Sequence, residues 1–418
     1  MKVLLCSDAP MYQSGYGKIT LLVARHLISQ GHEVIILGSD SRQVPFTPID
    51  YEGCKLYLVH DYGNCEHIRW LLKNEKPDVV WANADPHFYS YLFKMDNEVR
   101  RQCPIVFYHL WDDEPYPKYN IPYYASCDRI IAGSKFTFNL LTANGELNAN
   151  SIDYAPIGFD PQVYFPQSAD EKQLFKNDFD ASTHGKYAHI KFVAGFVGRN
   201  APRKQLLSIL NSFCKWQHDK PDALLFVHSP EADFGGQFEY VMKTLYSGAN
   251  VVFSQASPLQ QGDDLINRFY NFFDVLLNRS EAEGFGMPIA EAMLAGTPCI
   301  TIDTTGPSGL VNDENGWLLP ADVLALEGSA VTPYIYSRFV TDEKFIAAID
   351  EAYRNTELRE QKAAKCRQYI MQNYSMNQFV TGVENSLLTA CKTWTPYAEY
   401  TVLEFPVRNI EVPKEVVK

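Results

Sequence analysis

Short apolar runs alternate along the chain with longer stretches in which apolar residues recur every three or four positions. "KVLLC" (Lys2–Cys6), "HEVIILG", "DVVWA", "PIVFYHLW" and "DRIIAGS" read as strands. Between them, Gly17–Gln30 and "HIRWLLKNE" have helical spacing, and "SIDYAPIG" closes this half. The rhythm restarts with "KFVAGFVG", "ALLFVHS", "NVVFS", "DVLLNRS" and "TPCITID" as strands. Strands rich in Val and Ile and spaced by helices predict a parallel sheet covered on both faces, here twice. Pro166–Ile190 is polar, shows no strand pattern and reads as a linker. After Trp317–Pro320, "ADVLALEGSAVTPYIYSRFVTD" reads as an insertion or irregular segment. Helical patterns follow at Glu343–Arg354, Glu357–Asn373 and Met376–Trp394, and Thr395–Lys418 has no clear element. The predicted organisation is a doubly wound α/β domain at 1–165, a linker at 166–190, a second such domain at 191–374, and a helix with tail at 375–418.

The chain has 418 residues, 46% of them hydrophobic, which suits two cores better than one. A net charge of −13 argues against general affinity for nucleic-acid backbone or anionic membrane. The nine cysteines are odd in number and scattered with no CxxC pair, so neither a disulfide framework nor a zinc site is indicated. A reducing, cytoplasmic setting is expected. No apolar run approaches the ~20 residues that span a bilayer, and "MKVLLCSDAPMY" reads as a first strand rather than a signal peptide. Contact with a membrane surface stays open.

In open α/β sheets ligands sit beyond the carboxyl ends of the strands, which directs attention to four loops. "SGYGK" (Ser14–Lys18) enters the first helix, where Gly15 and Gly17 would let the backbone approach a phosphate, or simply shape a capped turn. The dinucleotide fingerprint is broken there, since Thr20 replaces the third glycine. "GFVGRNAPRK" (Gly195–Lys204) places Arg199 and Lys204 around a strand-end turn, with Arg203 as the solvated member. That is either a diphosphate clamp or a solvated basic turn. His109 ends a buried strand just before Asp112 and Asp113, as a cleft residue or a structural one; His60 and His87 hold similar positions with less support. The fourth loop is "RSEAEGFGMPIAEAMLAGTPCI", with Glu283 in the loop and Glu291 in the first turns of a helix opened by Pro288. The helix dipole alone accounts for Glu291, but not for Gly284 and Gly286, which suit a backbone presenting N–H groups to a ligand. A carboxylate is also a natural acceptor for the two hydroxyls of a sugar or ribose diol.

"SEAEGFGMPIAEAMLAGTP" closely resembles the E-x7-E signature of the family 4 retaining glycosyltransferases, which have the GT-B fold. "GRNAPRK", "DRIIAGS", "PIGFDPQVYF", "QGHEV" and "ENGWLLP" match that family in order, so the resemblance runs from about Lys2 to Tyr374. It implies two Rossmann-like domains facing across a cleft, with the C-terminal helix returning to the first. It implies transfer of a sugar from a UDP- or GDP-sugar to a hydroxyl of a glycan, lipid-linked or small-molecule acceptor, without metal or other cofactor. Glu291 would hold ribose and Glu283 the transferred sugar. Backbone N–H groups around Gly284, Phe285, Gly286 and Met287 would bind its hydroxyls or the phosphate. Arg199 and Lys204 would neutralise the diphosphate, Gly15 and Gly17 would close on it, and His109 would touch the donor sugar. Ser134 matches a strand-end serine of the family, or caps the next helix.

Three features depart from the family. Tyr16 splits the usual adjacent glycines, Leu310 stands where an acid is common, and Ala321–Thr341 is an atypical insertion. The competing readings are a nucleotide-sugar 2-epimerase of the same fold, a nicotinamide-dependent dehydrogenase for which Asp40 mimics the ribose-binding acid, and an inactive nucleotide-sugar binder.

Overall fold

The computed structural model describes residues 1–397 except 13, 43, 144, 231–235 and 255–261. The last part of the tail, for which no element was expected, lies outside the described residues. The first half forms strands β1 (Lys2–Asp8), β2 (Glu33–Asp40), β3 (Pro48–Tyr51), β4 (Cys54–His60), β5 (Val79–Asn83), β6 (Ile105–His109), β7 (Arg129–Ala132) and β8 (Ile152–Tyr154). They pair in the order β3-β4-β2-β1-β5-β6-β7-β8, all parallel except the edge strand β3. The second half gives β9 (Phe192–Val197), β10 (Ala223–His228), β11 (Val251–Ser254), β12 (Val275–Leu277), β13 (Cys299–Ile302) and β14 (Trp317–Leu319), paired β11-β10-β9-β12-β13-β14 and parallel throughout. The central strands are buried along their length, as their unbroken apolar runs require when helices cover both faces.

In each sheet the strand order reverses beside the first strand: β2 and β5 flank β1, and β10 and β12 flank β9. Loops leaving two such neighbours diverge and open a crevice. The loops after β1 and β5 form one crevice, and those after β9 and β12 the other.

The segment read as a linker contains the helix Ala169–Ser182, opened by a capping box between Ser168 and Glu171. Its Phe175 and Phe179 pack edge-on or tilted against Phe269 and Phe272, so this helix belongs to the body of the second domain. Its few apolar residues, one helical turn apart, are enough because they meet an aromatic cluster. The inserted segment is also ordered: β15 (Val323–Glu327) and β16 (Ile335–Phe339) form an antiparallel hairpin.

The C-terminal helix Met376–Thr393 does return to the first domain. It buries Phe379, Val380, Val383, Leu387 and Ala390, with Phe379 against Tyr108. Glu384 accepts from His26 at 2.7 Å and His32 at 2.9 Å. One buried cluster therefore runs without a break from Val3 and Ile19 through Ile157 and Tyr164 to Phe285, Ile370 and Leu387. Among the described residues no helix is long and apolar enough to cross a membrane.

Where the chain crosses back, Phe159 bridges Ser375, and the Phe159 N–H donates to Tyr374 O at 2.9 Å. A Cβ on Gly158 would lie 2.4 Å from Ser375 O and 2.7 Å from Met376 Cα. Gly158→Ala is thus expected to cost about 1–3 kcal/mol through forced separation of two backbones, read as a lower urea midpoint at unchanged slope.

Candidate functional site

The two crevices face each other. Ser14 caps the first helix (Gly15–Ser29), accepting from the Gly17 N–H at 3.0 Å while donating to the Asp8 carboxylate. A Cβ on Gly15 would touch Met287 Sδ at 3.5 Å, so this helix start meets the second domain directly. Gly17 has a different reason to be glycine: a Cβ there would lie 2.5 Å from Tyr12 O, inside its own loop. On the opposite side Gly284 faces Leu110, whose Cβ would be 3.2 Å from any added Cβ. Gly286, at φ +97°, turns the chain into the helix Met287–Leu294 in a conformation that side chains rarely adopt. Phe285 is buried against Phe159 and Tyr374, which anchors the turn.

Glu283 is only 5% exposed yet ionised. Lys204 Nζ pairs with one oxygen, Arg203 Nη1 lies 3.3 Å from the other, and Ser280 Oγ donates at 2.8 Å. Burial opposes the charge, but the two cations outweigh it and hold the carboxyl at about 2. Arg203 is therefore not the solvated member of its loop: although its side chain is 43% exposed, Nη1 also donates to Ala282 O at 2.7 Å, and Nε lies 4.0 Å from Asp112 across the cleft. The short turn Pro202–Lys204 and left-handed Gln205 swing Arg203 and Lys204 inward together. Arg199 is exposed at the end of β9, and its charge acts on Tyr62 of the first domain.

Glu291, 6% exposed, accepts from Tyr270 Oη at 2.7 Å. Lys18 reaches it from the first helix, with Nζ 3.8 Å from Glu291, 2.8 Å from Asp263 and 3.3 Å from Tyr164 Oη. Burial works against the Lys18 ammonium, but Glu291 and Asp263 hold its pKa above the ordinary value.

His109 is set apart from this group. It is 1% exposed, bonds Tyr124 Oη at 2.8 Å, and burial pushes it down to about 3, so it is neutral. Successive strand residues point to opposite faces, and Leu110 is the one that meets Gly284. Ser134 caps its helix, with the Thr137 N–H donating to it at 3.1 Å. Asp40 is taken by Arg42 at 2.8 Å and Tyr12 at 2.8 Å, which leaves the dehydrogenase reading without its acid. Leu310 is buried beneath Gly286.

Residues the motifs do not mark complete the site. Thr305 Oγ1 accepts from Glu283 N at 3.0 Å, and Gly306 N donates to Glu283 O at 2.8 Å, so the turn after β13 clasps the glutamate's backbone. Asp8 and Asp85 end β1 and follow β5, bonded to Tyr62 at 2.5 Å and Tyr16 at 2.9 Å. Burial and Asp112 raise Asp85 to about 6 and Asp113 to about 8. The first-domain side thus brings Asp85, Asp112 and Asp113 near Arg203 of the second. A strand-end position, which singles out His87 and His109, would have flagged Asp8 and Asp85 equally.

A family model described as Glycosyltransferase Family 4 matches residues 14–163, and one described as Glycosyl transferases group 1 matches residues 188–369. A mannosylfructose-phosphate synthase of Agrobacterium fabrum (strain C58 / ATCC 33970) is 27% identical over 184 residues, 42% of this chain and 38% of that protein, so the match spans well under half of the relative. A sucrose-phosphate synthase from Thermosynechococcus elongatus superposes with a TM-score of 0.72 at 14% identity, covering 93% of this chain and 98% of the other. HepE of Anabaena, solved in complex with UDP-glucose, gives 0.68 at 16% identity over 93% and 100%. The fold is GT-B.

Because its folded pKa is depressed from the ordinary 4.5, Glu283 stabilises the protein above that value and ceases to as pH falls toward 2. Urea unfolding of Glu283→Gln should show a deficit of about 3 kcal/mol at pH 7 that shrinks steadily below pH 5. A deficit independent of pH would contradict the charge assignment.

Proposed function

Since the chain belongs to the family 4, group 1 glycosyltransferases, we propose that it moves a sugar from a nucleotide-diphosphate donor to an acceptor hydroxyl with retention of configuration. The observation that carries this reading is the ionised, buried Glu283 held by Lys204 beside a glycine turn, facing the first helix across the cleft. In this reading Glu291 accepts from the ribose diol, and Glu283 from hydroxyls of the transferred sugar. The N–H groups around Phe285, Gly286 and Met287 bind the donor at the start of the helix Met287–Leu294. Gly15 and Gly17 shape the opposing helix start.

As the glycosidic bond breaks, charge builds on the departing phosphate. Arg199 and Lys204 are the fixed cations that stabilise it, and Lys204 can shift between Glu283 and the phosphate. This clamp supplies the neutralisation that a metal provides in other transferases, so no metal is required. Retention follows from attack on the face the phosphate leaves, with the phosphate oxygen taking the acceptor proton. His109, neutral and bonded to Tyr124, lies behind Leu110, which is the residue that meets the glycine turn. The likeness to HepE supports a UDP-sugar, with a GDP-sugar the runner-up. Asp8, Asp85, Asp112 and Asp113 favour an uncharged, hydroxylic acceptor over an anionic one. The nine free thiols suit a cytoplasmic protein, including one working at a membrane surface.

A thermal-shift screen with UDP-, GDP- and ADP-sugars is expected to find at least one stabilising donor. Glu291→Ala and Arg199→Ala should each abolish that shift. A confirmed donor that binds both variants as tightly as the parent would refute the site.

A further inference from the structure

The hairpin β15–β16 is fastened at its base and along β16 to the machinery of the cleft. Its base is tied to the strand that leads into the donor turn: Arg279, just after β12, donates to Val340 O at 2.6 Å and pairs with Asp342 at 2.8 Å. From Tyr334, just before β16, to Arg338 within it, the hairpin also reaches the first domain. Arg338 pairs with Glu114 at 2.5 Å, and the Tyr336 N–H donates to Glu114 O at 2.7 Å. The Tyr334 ring packs edge-on against Tyr119 at 5.0 Å, and its hydroxyl accepts from the Lys118 N–H at 3.2 Å.

At its base Lys344 also pairs with Asp322 and donates to Pro320 O at 2.8 Å. Val323, Leu324 and Leu326 on β15 are exposed, so burial of apolar surface contributes little there. The segment it grips follows Asp112 and Asp113 directly, and Asp112 faces Arg203 beside Glu283. The hairpin is therefore a further connection between the domains, remote in sequence from the linker and the C-terminal helix.

We infer that this hairpin is an interdomain strap, with Arg338 and Tyr334 as positioning residues that hold the 112–120 wall over the donor turn. The strap stands on geometry alone; its consequence for the reaction rests on the glycosyltransfer reading. In that reading the wall keeps water from the anomeric carbon until an acceptor fills the space.

Hydrogen exchange on the full-length protein tests the strap. In Tyr334→Ala/Arg338→Ala, amides of 112–120 and of Tyr336 should exchange at least tenfold faster, with β1 and β9 unchanged. The charge swap Glu114→Arg/Arg338→Glu should recover most of the protection. Unchanged exchange at 112–120, or an equal rise along the whole chain, overturns the strap. UDP-glucose is the probe for positioning. Its hydrolysis by water should rise at least threefold in the Tyr334→Ala/Arg338→Ala variant, while UDP affinity stays within twofold. Hydrolysis that does not change, including none in either protein, overturns the positioning role. UDP failing to bind either protein would instead remove the UDP-sugar reading and leave the exchange result standing.

Discussion

A carboxylate taken out of water must find positive charge, and Glu283 finds it in Lys204 and Arg203. That requirement organises the centre of the molecule. It pulls the turn after β9 against the turn after β12, and the Glu281 N–H donates to Arg203 O at 2.8 Å to finish the contact. It also explains why the glutamate's backbone is clasped from a third direction by Thr305 and Gly306. A charge so placed tolerates little movement, so three loops from three strands share one geometry before any ligand arrives. Such preorganisation suits a site that must stabilise charge as it develops elsewhere.

The second domain supplies this cluster, while the first brings Asp112 to Arg203 and Lys18 to Glu291. Both sheets open at the reversal of strand order, and the seam through Tyr164, Phe159 and Phe285 sets one crevice against the other. Lys18 shows how closely they are fitted: its ammonium lies beside Glu291 although it is carried by the opposing domain. In the proposed reading, a ribose diol reaching Glu291 would therefore exchange one partner of the carboxylate for another rather than fill an unoccupied acceptor.

Much of this was legible in the residues. Central strands announce themselves as apolar runs, and the paired glycines between Glu283 and Glu291 mark the turn from β12 into the helix Met287–Leu294. What stayed hidden depends on contacts made far along the chain. Strand alternation says that His109 and Leu110 point opposite ways, but only the assembled domains reveal that Leu110 meets Gly284. Likewise the basic turn contains Arg199, Arg203 and Lys204, and the left-handed Gln205 decides which of them swing inward. The edge pair β3–β4 was readable in principle: "CKLYLVH" follows Glu52-Gly53, both at positive φ, as a tight hairpin turn needs. The hairpin β15–β16 shows alternation too, yet its partner Glu114 lies more than 200 positions upstream, beyond any local pattern.

The returning C-terminal helix has a consequence for how the molecule is made. Residues 376–393 fill an apolar face of the first domain, against Tyr108 and the first helix. During synthesis that domain leaves the ribosome long before the helix that covers it. Until residues 376–393 emerge, the groove around Tyr108 and Ile157 stays open, and the nascent first domain must be shielded or kept from closing on a wrong partner. The order of translation thus makes completion of the first domain a later event than synthesis of the second.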